Sequence, residues 1–262
     1  MSEIITEIAA NGVATVTMNR GEVHNAFNEG VIAALTEAFE RLGGDPAVRL
    51  VLLRGRGKSF SAGADLSWMQ RMAGYGHEEN LADAMGLAAM LRAIDLCPKP
   101  TVAVVQGPAY GGGVGLAAAC DIALASEAAS FALTEVRLGL IPAVISPYVV
   151  AAMGERACRR YFLTAERFTA AEAHRLGLVH EVVPADGLET AVEGLVARLL
   201  ECGPASQAAA KDLIRAVARR PTDEAVIRDT AERIARQRAS AEGREGVGAF
   251  LNKRKPSWNP SS

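Results

Sequence analysis

The sequence predicts an α/β fold that ends in a helical region. Two observations carry this prediction. "VRLVLLRG" (48–55) and "PTVAVVQG" (100–107) are short, valine-rich apolar runs of the kind found in strands buried on both faces, and each leads through a glycine-containing loop into a helical pattern. The C-terminal part of the chain, by contrast, is mostly helical in pattern.

Taken in order, "IITEIAANGVATVTM" (4–18) holds two strand-like runs around Asn11-Gly12, a hairpin signal. "EGVIAALTEAFERLGGD" (29–45) has helical periodicity and stops at Gly43-Gly44. The first buried run is followed by "KSFSAGADLSWMQRM" (58–72) and the second by "PAYGGGVGLAAAC" (108–120), each a loop entering a helix. "DIALAS" (121–126), "SFAL" (130–133) and "GLVHEVVP" (177–184) are further strands. "PASQAAAKDLIRAVARR" (204–220) and "PTDEAVIRDTAERIARQRAS" (221–240) each begin at a proline, which favours a helix start. No linker-like or low-complexity segment interrupts the chain.

Composition narrows the function classes. The chain has 262 residues, 50% hydrophobic and 22% charged, ordinary values for a globular enzyme. A net charge of -2 gives no electrostatic case for nucleic acid or an anionic membrane as partner. Cys97, Cys120, Cys158 and Cys202 form no CxxC pair, and three of them sit among apolar or helix-forming neighbours, as reduced core cysteines of a cytoplasmic protein do. His24, His77, His174 and His180 have no metal-ligand spacing, so no metal is expected. The opening "MSEIITEIAANG" is too polar for a signal peptide. Residues 100–120 carry no charge and are long enough to span a bilayer, yet Pro100, Gln106, Pro108 and the glycine cluster fit a buried strand, loop and helix better.

The two strand–loop–helix units are the informative part. "YGGGVGLAAACD" (110–121) spends four glycines where each costs roughly 1 kcal/mol relative to alanine inside a helix. Close packing or a need for bare backbone donors offsets that cost. N–H groups at a helix start attract negative charge, and two such loops facing one atom make an oxyanion hole. Ala62, Gly63 and Ala64 allow close approach in the first loop, and Gly111, Gly112 and Gly113 in the second. Other motifs fail. A P-loop ending at Gly57-Lys58-Ser59 requires glycine where Leu52 stands. Gly113-x-Gly115-x-x-Ala118 follows a strand, but Glu127 comes too early for a dinucleotide site. "SFSAG" lacks the leading glycine of a hydrolase elbow.

"SFSAGADLSWM", "QGPAYGGGVGL", "CDIALAS" and "EVRLGLIPA", in this order, resemble the crotonase (enoyl-CoA hydratase/isomerase) superfamily, and "EGREGVGAFLNKRKPSW" resembles its tail. The resemblance implies a spiral of repeated ββα units over residues 1–195 holding the CoA and active sites. It also implies a helical region, 196–262, for oligomerisation and site closure in a homotrimer or homohexamer. By motif, the N–H groups of Ala64 and Gly112 would hold an acyl-CoA thioester oxygen. Ala62, Gly63, Asp65 and Leu66 would line the CoA, Gly111 and Gly115 the acyl group, and Arg20, Lys58 and the tail are candidate phosphate partners. Asp65 is equally placed to cap the helix it precedes. No cofactor is implied beyond the CoA of the substrate.

Hydratases of this family commonly use two glutamates. One matches Glu135 of "LTEVRLGLIP"; the other position holds Gly115. A single glutamate also suits an enoyl-CoA isomerase, and a non-catalytic relative is the remaining alternative. Gly115 together with "PAVISPYV" in place of a glycine-rich stretch resembles bacterial 3-methylglutaconyl-CoA hydratases of leucine breakdown. Their substrate carries a distal carboxylate, whose partner is expected near Arg137, Tyr148 or the residues after Trp68.

Overall fold

The structure, a computed structural model, describes residues 2–259. Residues 1 and 260–262, the extremes of the two expected regions, lie outside the described residues. The strands are β1 (Ile4–Ile8), β2 (Val13–Met18), β3 (Leu50–Gly55), β4 (Thr101–Val105), β5 (Ala109–Tyr110), β6 (Ile122–Ser126), β7 (Ser130–Ala132), β8 (Phe168–Thr169) and β9 (Glu181–Val183). The main sheet runs β1-β2-β3-β4-β6-β9 and the small one β5-β7-β8. β1 and β2 form the expected antiparallel hairpin, with Ile4 opposite Met18, and the other main-sheet pairings are parallel.

The helices are α1 (Glu29–Gly44), α2 (Leu66–Met72), α3 (His77–Leu96), α4 (Gly112–Ala119), α5 (Ser146–Thr164), α6 (Ala170–Arg175), α7 (Leu188–Leu200), α8 (Pro204–Val217), α9 (Glu224–Ala239) and α10 (Ala241–Leu251). Asn28 caps α1 by accepting the Val31 N–H. α8 begins at Pro204 as the sequence suggests. The α9 start differs: Asp223, not Pro221, caps it by accepting the Val226 N–H at 2.9 Å, so the chain turns helical at Glu224.

The core explains why β3 and β4 read as continuous apolar runs. Val51, Leu53, Ala103 and Val105 face a layer that includes Leu35 of α1, Ile94 of α3 and Val114 of α4. Leu50, Leu52, Val102 and Val104 face the other way, against Leu188 and Val192 of α7. Both sheet faces are thus covered, as parallel strands require. The expected division at 195/196 falls inside α7, whose buried face belongs to this second layer. Cys97, Cys120 and Cys158 are buried and Cys202 is exposed, all as free thiols.

Candidate active site

The first loop leaves β3 and folds over a polar scaffold. Asn25, 1% exposed, donates through its side-chain amide to the Arg56 and Ser59 carbonyls, and its own carbonyl accepts the Ser61 hydroxyl. Gln106 reaches from the end of β4 to the Gly55 carbonyl at 2.7 Å and the Ser59 carbonyl at 2.9 Å. Phe27 then pairs with Ala64 as a parallel bridge. Its N–H donates to the Gly63 carbonyl at 2.6 Å, and its carbonyl accepts the Asp65 N–H at 2.7 Å. In such a bridge the intervening residue aims its own N–H away from the partner. The Ala64 N–H therefore points out of the bridge and has no protein acceptor among the described residues.

The second loop is tied to the first by a Ser61–Ala109 bridge, in which the Tyr110 N–H donates to the Ser61 carbonyl at 2.9 Å. Gly63 has φ +86°, and a Cβ there would lie 2.9 Å from the Tyr110 carbonyl and 3.5 Å from the Gly112 nitrogen. The two loops are in contact, and neither tolerates a side chain at that point. Gly112 is the first residue of α4, so its N–H is one of the orphan donors of that helix. A Cβ at Gly112 would sit 2.5 Å from the Phe27 ring, so the same phenylalanine that braces Ala64 also supports Gly112.

Strand pairing delivers Glu135. β5 pairs with β7 in parallel, Tyr110 beside Ala132, and the Gly111 N–H donates to the Ala132 carbonyl at 2.8 Å. The chain beyond Ala132 turns through a short 3-10 helix, Glu135–Leu138, that closes at Gly139 in the left-handed region. This places Glu135 Oε1 against Gly111, where a Cβ would meet it at 3.1 Å. Glu135 Oε2 is inaccessible to solvent and has no hydrogen-bond partner among the described residues. Burial pushes the Glu135 carboxyl above its usual pKa range, opposed only by its own backbone N–H. No ion pair joins it to Arg137 among the described residues; Arg137 is exposed on the same turn.

The remaining expected residues are placed as follows. Asp65 caps α2 by accepting the Ser67 and Trp68 N–H groups and is ion-paired with Arg20 at 2.9 Å. Its hydrogen bond from Ser67, then that from Arg20, hold its pKa down to about 2. Its carboxylate is thus committed within the protein. Ala62 is half-buried at the same loop, and Leu66 stands exposed beside it. Trp68 is buried in the core, its ring N–H donated to Asp83 at 3.0 Å. Tyr148 is half-buried on α5, and burial pushes its hydroxyl pKa up. Gly115 lies on α4 under Ile145: a Cβ there would overlap the Ile145 Cγ2, with a Leu91 methyl at 3.7 Å. The position where relatives in the resemblance carry a glutamate is therefore walled by hydrocarbon. Sequence reasoning passed over Asn25, Phe27 and Ile145 and used Gln106 only to argue against a membrane span. An amide inside an uncharged apolar run was the available signal for Gln106.

Residues 8–261 match the family described as Enoyl-CoA hydratase/isomerase. The chain belongs to that family. A solved enoyl-CoA hydratase from Shewanella pealeana is 45% identical, with a TM-score of 0.95 over 98% of this chain and 96% of that chain. Pseudomonas aeruginosa AtuE is 36% identical, with a TM-score of 0.94 over 98% and 100%. The crotonyl-CoA hydratase of Syntrophomonas wolfei is 32% identical over 248 residues, 94% of each chain. The expected crotonase-type α/β fold is thereby established, and this crotonase is an enzyme of the enoyl-CoA hydratase kind. Its family acts on acyl-CoA thioesters. No helix among the described residues is long and apolar enough to cross a membrane.

Proposed function

We propose that this crotonase adds water to 3-methylglutaconyl-CoA, or a closely related branched enoyl-CoA, with Glu135 as its one acid/base carboxylate. The observation that carries the reading is Glu135 itself: a half-buried carboxyl with one unpartnered oxygen, packed against the loop that presents the Gly112 N–H. The Ala64 and Gly112 N–H groups both donate to the thioester oxygen. As water attacks the β-carbon, Glu135 takes its proton and the π electrons move to the thioester oxygen, forming an enolate. The two fixed donors bind that enolate better than they bind the substrate, which is the source of the rate enhancement. The neutral Glu135 carboxyl then returns the proton to the α-carbon, and the carbonyl re-forms. One carboxylate balances the whole addition, because the proton that it removes is the proton that it delivers.

The branched, acid-bearing substrate rests on Gly115 and the "PAVISPYV" segment, and Ile145 leaves no room for a second carboxylate at Gly115. A second carboxylate in that space would repel the substrate's own. Ala62, Gly63 and Leu66 flank the CoA, Lys58 remains a phosphate partner, and Arg137 or Tyr148 receives the distal carboxylate. The same reading includes a trimer-based assembly, a cytoplasmic location and no cofactor. A second reading, double-bond isomerisation, is favoured by the same lack of a second glutamate. Reaction in isotopically labelled water, followed by mass analysis of the thioester, separates the two: hydration places labelled oxygen on the product, and isomerisation leaves the oxygen count unchanged.

A further inference from the structure

The Ala64 N–H can polarise a thioester only if the bridge to Phe27 holds its direction. Up to Gly63 the loop is tied down by the Ser61–Ala109 bridge and by the Ala62 N–H, which donates to the His24 carbonyl at 2.9 Å; beyond Ala64 such ties are fewer. Gly63 turns the chain at φ +86°, and α2, which follows Ala64 and Asp65, is a short helix whose first residue, Leu66, is 77% exposed. One side chain spans both halves of the bridge. Arg20, 16% exposed, donates from Nη1 to the Ala26 carbonyl at 2.7 Å, immediately before Phe27. Its Nη2 donates to Asp65 Oδ2 at 2.9 Å, immediately after Ala64. Its Nε is anchored to Glu3 Oε1 at 3.0 Å, on the segment that opens β1. Arg20 is fixed in turn by its own backbone, since its N–H donates to Asn25 Oδ1 and its carbonyl accepts the Asn25 N–H.

From this geometry we propose that Arg20 is a positioning residue for the oxyanion donor at Ala64. The planar guanidinium is suited to the task because its N–H groups diverge in fixed directions and engage the two segments at once; a lysine ammonium at the same place presents one flexible point. The expectation that Arg20 meets a CoA phosphate is the competing role, and the test below separates the two. Each of its three nitrogens makes one contact within the protein, which uses three of its five N–H donors, and it borders a surface cleft of about 700 Å³ with Arg56 and Gly57. Loss of Arg20 leaves Asp65 able to cap α2 through Ser67 and Trp68, so the helix start survives while the bridge loses its cross-brace. A misplacement on the order of 1 Å is enough to cost roughly 10²-fold in rate.

This inference rests on the reading of Ala64 and Gly112 as oxyanion donors, and one probe separates the two. 4-(Dimethylamino)cinnamoyl-CoA is a push–pull thioester whose absorption moves to the red when its carbonyl is polarised. The wild type is measured first, and a red shift on binding supports the oxyanion reading. No shift in the wild type overturns that reading, and the Arg20 proposal with it. Arg20→Gln, Arg20→Lys and Asp65→Asn are then compared on the same probe and on crotonyl-CoA turnover. The expected result is a smaller red shift and kcat lowered at least ten-fold in Arg20→Gln, with KM little changed. Arg20→Lys should be intermediate, and Asp65→Asn, which keeps a capping oxygen, should reproduce part of the loss. A raised KM with kcat and red shift at wild-type values overturns the proposal in favour of phosphate binding. A lowered melting temperature with kcat and red shift intact overturns it in favour of a purely structural ion pair. Should Arg20→Gln fail to fold, Asp65→Asn and Arg20→Lys decide the question on the same readouts.

Discussion

Burial raises the Glu135 pKa, and the sign of that shift has a kinetic consequence. The base form must be ionised, so kcat/KM should fall as pH drops through a value above the usual carboxylate range. Glu135→Gln removes the titrating group. It should lower kcat by roughly 10²–10⁴-fold and abolish that acidic limb, while CoA binding persists. A pH–rate profile of both proteins checks this, and an acidic limb that survives in Glu135→Gln assigns the base elsewhere. Gly115 is the second test. Because any side chain there overlaps Ile145, Gly115→Glu alone overpacks the wall, at a cost of about 1–3 kcal/mol. Gly115→Glu with Ile145→Ala makes room for the carboxylate. That pair should lose activity on 3-methylglutaconyl-CoA through like-charge repulsion, and any gain should appear only on uncharged crotonyl-CoA. Higher kcat/KM of the pair on the acid-bearing thioester would contradict the reading.

Between elements, the oxyanion donors are tested best at Ala64. A proline at Gly112 removes a donor but also strikes the Phe27 ring, whereas Ala64 is exposed and already carries a Cβ. Ala64→Pro should therefore slow turnover by roughly 10²–10³-fold, the loss of one oxyanion donor, with the fold intact by circular dichroism. The docking of α8 is the second element-scale case. Lys211 Nζ lies 2.6 Å from Asp121 Oδ2 and donates to the Cys97 and Lys99 carbonyls at 2.6 and 2.9 Å. Asp121 in turn accepts the Thr101 N–H and hydroxyl at 2.7 and 2.9 Å. Breaking a fully buried pair costs about 3–5 kcal/mol, and partial exposure of Asp121 places Lys211→Met toward the lower end. Arg159→Ala, which breaks an exposed pair with Glu155, should cost less than about 1 kcal/mol. Urea unfolding midpoints compare the two, and equal losses would show that Lys211 holds nothing in place. β3, β4 and α1 were legible because burial imprints a period on local sequence. α3 carries no such imprint: its buried residues, Met90, Leu91 and Ile94, cluster at one end and leave the rest without an apolar stripe. The start of α9 departs from the proline signal because the Asp223 cap sets it.

For the whole molecule, the same division holds at the site. Glu135 and the two glycine-bearing loops lie in contiguous motifs, so the sequence exposes them. Arg20 meets Asp65 across 45 positions and Ile145 covers Gly115 from the turn that precedes α5, and no local pattern records such contacts. Phe250, Leu251 and Leu163 are 82%, 73% and 76% exposed on the protomer, apolar surface available for subunit contacts. A trimer-based assembly predicts a light-scattering mass three or six times that of the protomer, and a monomer at micromolar concentration would contradict it. What the molecule does as a whole is decided by one measurement: kcat/KM of the wild type on 3-methylglutaconyl-CoA and on crotonyl-CoA, run in isotopically labelled water with the products weighed. The single-carboxylate hydration account predicts labelled oxygen in the product and a preference for 3-methylglutaconyl-CoA. A preference for crotonyl-CoA, or a shifted double bond with no oxygen added, would contradict it.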